Sequence, residues 1–64
     1  MKLKKLLKHH AKGLQIVKIY RSDNDTTKKV YDDRAYGLVC RNDLLESKVV
    51  SWCVDYSTLK IYIK

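Results

Sequence analysis

The chain has 64 residues and a formal net charge of +7, from 14 lysine and arginine residues against seven acidic ones. A chain of this length buries only about 60% of its unfolded surface, which gives one small domain and little room for the enclosed pocket that catalysis needs. No apolar stretch is long enough for a signal peptide or a membrane span. We therefore expect a single cytoplasmic domain over residues 1–64 that is not an enzyme and uses no cofactor.

The positive charge is concentrated in the first third of the chain. Residues 1–22 contain seven basic side chains and no acidic one, whereas residues 23–64 contain seven of each sign. A field of one sign attracts partners of the other sign, which are nucleic acid, an anionic membrane surface or an acidic protein face. We predict that the partner is an acidic protein surface or nucleic acid, either DNA or RNA, and not a membrane.

The first predicted element is an amphipathic helix over residues 2–12. Leu3, Leu6 and Leu7 recur at helical spacing and form one apolar stripe. The opposite arc holds Lys4, Lys5, Lys8 and Lys12. The helix begins without a capping residue, and its lysines crowd the end where the helix dipole favours acidic groups. The lysines therefore indicate a binding surface, and a solvated face that keeps the protein soluble is the other interpretation.

The middle of the chain predicts strands joined by short turns. Leu14 to Arg21 is rich in β-branched and aromatic residues, and Lys28 to Tyr31 extends its pairing as a short strand. Arg34 to Arg41 is predicted as the next strand, with Gly37 marking a bulge or a close backbone approach. Short connections favour antiparallel neighbours.

A short helical turn and a hairpin complete the chain. Asp43 precedes Glu46 by the spacing of a capping box, which predicts one helical turn near residues 43–47. The hairpin follows over residues 48–64. One face of its first strand carries Val50, Trp52, Val54 and Tyr56, and one face of its second carries Leu59, Ile61 and Ile63. The hairpin closes either through a two-residue turn at residues 57–58 or through a four-residue loop over residues 55–58. Either register brings these apolar faces together.

These elements predict an α+β fold in which one N-terminal amphipathic helix packs on a four-stranded antiparallel sheet. The apolar face of the hairpin is expected to point at the helix. Trp52 should therefore be mostly buried between the sheet and the leucine stripe of the helix.

Two histidines and two cysteines are the residues most suited to metal binding or nucleophilic chemistry. His9 and His10 are adjacent, so on a helix they point about 100° apart and cannot act as one bidentate site. Cys40 and Cys53 lack the spacing of a zinc site and are too few for a disulfide framework. We interpret both cysteines as small buried apolar residues, and we predict no catalytic residue and no metal site.

Aromatic and basic residues alternate on the last strand, where Lys60, Tyr62 and Lys64 share its outward face. Aromatic rings on an open sheet stack nucleic-acid bases, anchor protein interfaces, or simply cover half-buried sheet, and all three interpretations stay open. The candidate partner-binding residues are Lys2, Lys4, Lys5, Lys8, Lys12, Lys18, Arg21, Lys60, Tyr62 and Lys64.

Three segments carry a resemblance to a known group of proteins. They are Tyr36-Gly37-Leu38-Val39, Asp43-Leu44-Leu45 and the run from Val49 through Ile63. Together with the leucine- and lysine-rich start helix, they resemble small uncharacterised proteins from phages and mobile elements of low-GC Gram-positive bacteria. The resemblance covers most of the chain, and the richness in Lys, Tyr and Asp, with only three Arg, is typical of an AT-rich genome.

Some small proteins of this origin inhibit host defence, as anti-CRISPR proteins do. The resemblance therefore implies a phage-encoded, non-enzymatic binding protein that acts in the bacterial cell on a host defence nucleoprotein. Inhibitors that mimic DNA are acidic, whereas this chain is basic, so the implied target is an acidic protein face or the nucleic-acid component. The alternative is a direct nucleic-acid-binding protein or regulator that uses its basic N-terminal helix.

Overall fold

The computed structural model describes residues 1–10, 13–23 and 25–64. Its elements in chain order are helix α1 (Leu3–His10), strands β1 (Ile16–Asp23) and β2 (Thr26–Arg34), a 3-10 helix (Ala35–Cys40), helix α2 (Asn42–Leu45), and strands β3 (Val49–Asp55) and β4 (Thr58–Ile63). The predicted α+β class, the N-terminal helix and the short helical turn before the last hairpin are confirmed. No helix in the described part of the chain is long and apolar enough to cross a membrane.

The four strands form one mixed sheet in the order β2-β1-β4-β3. β1 pairs with β2, and β3 with β4, in antiparallel hairpins, but the central strands β1 and β4 run parallel. The predicted fully antiparallel sheet is therefore wrong at its centre. The reason is that the 3-10 helix and α2 carry the chain from one edge of the sheet to the other. β3 becomes the second edge strand, and its hairpin returns β4 to the centre beside β1.

The segment Arg34 to Arg41, predicted as a strand, is mostly the 3-10 helix. The second strand lies earlier and includes the short strand predicted at Lys28 to Tyr31. The strand was predicted because Tyr36, Leu38 and Cys40 alternate along the segment, but only Leu38 of this tight helix is buried. Strand and short buried helix cannot be separated by periodicity over so few residues.

Gly37 allows this helix to pack closely on β2. The hydroxyl of Tyr31 occupies the place where a Cβ at position 37 would lie. The same hydroxyl donates a hydrogen bond of 2.6 Å to the carbonyl oxygen of Arg34, at the end of the strand. A bulge or a close backbone approach within a strand was predicted at Gly37, whereas the close approach found there is made by the Tyr31 side chain to a helix.

The hydrophobic core lies on one side of the sheet, under α1, the 3-10 helix and α2. Its fully buried side chains are Leu3, Leu6, Val17, Ile19, Leu38, Leu44, Leu59, Ile61 and Ile63. The central strands β1 and β4 supply five of these, because residues two apart on a strand share one face. We call this the helix-bearing side. The alternate residues of the same two strands form the open side, on which no described helix packs.

The last hairpin adopts the register of the four-residue loop, with Trp52 opposite Ile61 and Val54 opposite Leu59. Both residues of β3 therefore point to the helix-bearing side. They are nevertheless exposed, Trp52 by 37% and Val54 by 57%, because β3 is an edge strand. The ring of His10 contacts the indole at a centroid distance of 4.5 Å. The predicted burial of Trp52 is wrong, since the helices cover the two central strands.

Candidate functional site: two basic surfaces

The predicted partner-binding residues separate onto opposite sides of the sheet. We name the outward side of α1, together with Lys2 directly before it, the helix surface; its described members are Lys2, Lys4, Lys5 and Lys8, all exposed. We name the middle of the open side the sheet surface; its members are Lys18, Tyr20, Lys60 and Tyr62. Lys12 lies outside the described residues. Lys64 follows β4 and is exposed.

Two lysines of the helix surface share one acidic partner. Lys2 Nζ lies 2.7 Å from Glu46 Oε2, and Lys4 Nζ lies 3.0 Å from Glu46 Oε1. Hydrogen bonds from Lys2, which has the larger effect, and from Lys4 lower the pKa of the Glu46 carboxyl to about 2. All three side chains are at least half exposed, and such surface pairs contribute little to stability. Glu46 directly follows α2 and is distant in sequence from both lysines. The neutralisation of Lys2 and Lys4 by Glu46 therefore depends on the tertiary fold.

Lys5 and Lys8 are the helix-surface lysines that form no ion pair within the described residues. They lie on the outer side of α1, whose inner side buries Leu3 and Leu6 completely. The leucines attach the helix to the sheet, so neither lysine is needed for packing. Their charges are therefore free to contact a partner of opposite sign.

Arg21 belongs to neither surface. It lies on the helix-bearing side of β1, beside Ile63, and its side chain is half-buried. Its Nη2 donates a hydrogen bond of 3.2 Å to Ser47 Oγ, while its Nε is buried and makes no hydrogen bond to the described residues. The guanidinium thus joins the sheet to the segment after α2.

The sheet surface contains two rows of side chains that cross the parallel central strands. In one row, Lys18 of β1 is the register partner of Lys60 of β4, and in the next, Tyr20 is the partner of Tyr62. The two tyrosine rings stack with their centroids 5.3 Å apart and their planes 21° from parallel. Sequence reasoning singled out Tyr62 without its partner Tyr20, because only the parallel pairing brings the two strands together.

Acidic residues on the outer strands hold some of the neighbouring lysines. Lys60 Nζ lies 3.1 Å from Asp55 Oδ2, and Lys29 Nζ lies 2.8 Å from Asp32 Oδ2. The hydrogen bond to Asp55 raises the pKa of Lys60, and the hydrogen bond to Lys29 lowers the pKa of Asp32. Lys18 lies between Asp32 and Lys60 in the register and forms no ion pair in the described part of the chain. The surface therefore keeps a positive centre.

The side chains suited to metal binding or nucleophilic chemistry do not come together in one site. In the described part of the chain, no three His, Cys, Asp or Glu side chains are placed to hold a metal ion. Cys40 and Cys53 are free thiols and both are exposed, so their predicted burial is wrong. Cys40 ends the 3-10 helix and Cys53 lies on the open side of β3, opposite Lys60. Neither position is covered by the helices.

Comparison of this chain with protein-family models, with curated proteins and with solved structures finds no match.

Proposed function

We propose that this is a non-enzymatic binding protein of phage or mobile-element origin that inhibits or regulates a host nucleoprotein by attaching to its acidic protein face. The observation that carries this proposal is the unneutralised pair Lys5 and Lys8 on the exposed side of α1. The origin rests on the resemblance of the chain to small phage proteins. The contact itself rests on charge, because a surface of one sign accelerates association with a surface of the other.

The helix dipole supports a binding role for Lys5 only, because Lys8 lies in the last turn of α1, where the dipole favours positive charge. α1 has no acidic residue in its first turn, and lysines lie where the dipole disfavours positive charge. Each unfavourable placement costs roughly a few tenths of a kcal/mol. A helix selected for its own stability would carry acidic residues there. The basic surface also argues against an inhibitor that imitates DNA, since DNA mimicry requires negative charge.

The proposal is tested by capture of the partner from a Gram-positive host lysate, with and without nuclease. In the variant Lys5→Gln/Lys8→Gln, glutamine keeps a high helix propensity and removes two charges. We expect an unchanged circular dichroism spectrum, loss of the protein captured by the native chain, and a slower association at low salt. The matched control is Lys18→Gln/Lys60→Gln, which removes two charges from the opposite side and should still capture the same protein after nuclease treatment. Equal capture by the helix variant contradicts the proposal.

Direct nucleic-acid binding through the same helix is the second candidate, and the same free lysines favour it. Phosphate contacts give an affinity for arbitrary duplex DNA or RNA that falls steeply as salt rises. Under this alternative, capture from the lysate disappears with nuclease. Filter binding at low salt that detects no duplex DNA or RNA eliminates it.

A further inference from the structure

The centre of the open side of the sheet combines stacked aromatic rings with paired lysines. We propose that the sheet surface binds single-stranded nucleic acid, with bases stacking on Tyr20 and Tyr62 and the phosphate backbone running over Lys18 and Lys60. This inference goes beyond the proposed function, because it uses the opposite side of the molecule and needs no protein partner. DNA and RNA share this chemistry, and the test separates them.

In the tyrosine row, Tyr62 is accessible to a base, whereas Tyr20 is half-buried. Tyr20 and Tyr62 lie on the two central strands, where no described element packs over the open side. Tyr62 exposes 37% of its surface, and its neighbour on β3 is the small residue Ser51, which leaves the ring open on that side. Aromatic rings on a sheet hold bases by stacking, which depends little on base identity. Duplexes hide these base faces, so the row favours unpaired strands.

The lysine row supplies the matching charge. Lys18 and Lys60 are register neighbours, and like charges placed opposite each other repel. Asp55 orients Lys60 through their 3.1 Å ion pair. Lys18 lies opposite Asp32, but that carboxylate pairs with Lys29, and Lys18 forms no ion pair within the described residues. An anion between the two amines relieves the repulsion, and a phosphate group is such an anion.

The two rows together identify the partner. They are adjacent, because positions 18 and 20 on β1 and positions 60 and 62 on β4 are each two residues apart. An acidic protein face also pairs with lysines and packs on tyrosine rings, but it does not regularly alternate flat groups with negative charges. A single strand presents flat bases beside negative phosphates, which is the arrangement that these rows complement.

The test measures fluorescence anisotropy of labelled twelve-nucleotide oligothymidylate and oligouridylate, with a twelve-base-pair duplex as comparison. We expect both single strands to bind more tightly than the duplex at low salt, and the ratio of the two affinities to show which backbone is preferred. Tyr62→Leu should weaken binding by about tenfold or more, whereas Tyr62→Phe, which keeps the stacking ring, should bind as the native chain does.

A charge comparison completes the design. Lys18→Gln/Lys60→Gln and Lys5→Gln/Lys8→Gln remove the same number of charges from opposite sides of the sheet, so a non-specific charge effect weakens both equally. We expect the larger loss in the sheet variant. Binding of Tyr62→Leu equal to that of the native chain, duplex binding as tight as single-strand binding, or equal losses in the two charge variants overturns the inference. Each of these results leaves protein capture from nuclease-treated lysate unaffected, so the two proposals fail separately.

Discussion

The two sides of the sheet use the same strands for different purposes. On β4, Leu59, Ile61 and Ile63 point to the helix-bearing side and are fully buried. The residues between them, Lys60 and Tyr62, point to the open side and contact neighbouring strands without being enclosed. This separation means that the side chains which hold the fold and those available for recognition can be changed independently.

Burial on the helix-bearing side depends on the position of the strand as well as on the direction of the side chain. Ile61 and Trp52 are direct cross-strand partners and point the same way. Ile61 on central β4 is completely buried, whereas Trp52 on edge strand β3 is 37% exposed. Alternation along a strand therefore identifies a face, but it does not say how far the covering helices extend over that face.

The largest effect is expected at the centre of the helix-bearing side. Ile61→Ala leaves a cavity beneath the helices and should lower the free energy of unfolding by about 2–5 kcal/mol. Because a domain of this size is only marginally stable, the variant should be largely unfolded or melt far below the native chain. Urea denaturation followed by circular dichroism measures this change. A variant that retains the native unfolding midpoint shows that the core does not lie where β1 and β4 meet the helices.

An intermediate effect is expected at the edge of the same side. Trp52→Ala removes a large ring that is already partly in solvent and contacts His10. We expect a loss of about 1–3 kcal/mol, below the range of about 3–5 kcal/mol for a buried aromatic residue. Urea denaturation should show a folded, cooperative variant. A loss as large as that of Ile61→Ala contradicts the distinction between central and edge strands.

The smallest effect is expected on the outer surface of the helix-bearing side, where Glu46 meets Lys2 and Lys4. The pKa of Glu46 in the folded chain, about 2, is below its ordinary value of 4.5. The folded state therefore binds this proton less readily, and the stabilisation is complete above about pH 4.5 and disappears as the pH falls towards 2. Thermal melting of Glu46→Gln should differ slightly from that of the native chain at neutral pH and converge with it in acid.

Asp25→Asn is the matched control for this titration, since it removes an exposed carboxylate far from α1 in the chain. The control should follow the native chain at every pH. If Glu46→Gln shows no difference that depends on pH, the two lysines do not hold the carboxylate in solution.

Local patterns were sufficient to predict most of the elements and part of the core, although the strand predicted from Arg34 to Arg41 is mostly a 3-10 helix and Trp52 is exposed. The spacing of Leu3 and Leu6 predicted the buried side of α1, and the alternation in β4 predicted its three buried residues, because each depends only on neighbours in the chain. The arrangement of the two hairpins was not predictable in this way. The crossover through the 3-10 helix decides that β1 and β4 run parallel, and no local pattern records it.

The same limit applies to the candidate site. The lysine side of α1 was predicted correctly as an exposed face, yet its partial neutralisation by Glu46 requires contact between distant parts of the chain. Arg21 was grouped with the other cations by charge, but its strand position turns it to the helix-bearing side. Tyr20 was not predicted as a site residue because its contact with Tyr62 exists only through the parallel pairing of β1 with β4.

The parallel contact between β1 and β4 also determines when the protein gains its core. Each hairpin joins residues close in sequence and can form rapidly, whereas the central contact joins residues 42 positions apart, such as Ile16 and Thr58. Leu59, Ile61 and Ile63 enter the core only with that contact. A chain emerging from the ribosome therefore cannot complete its core before β4 is synthesised. Resistance to proteases should accordingly appear in one late step, with no stable half-domain before it.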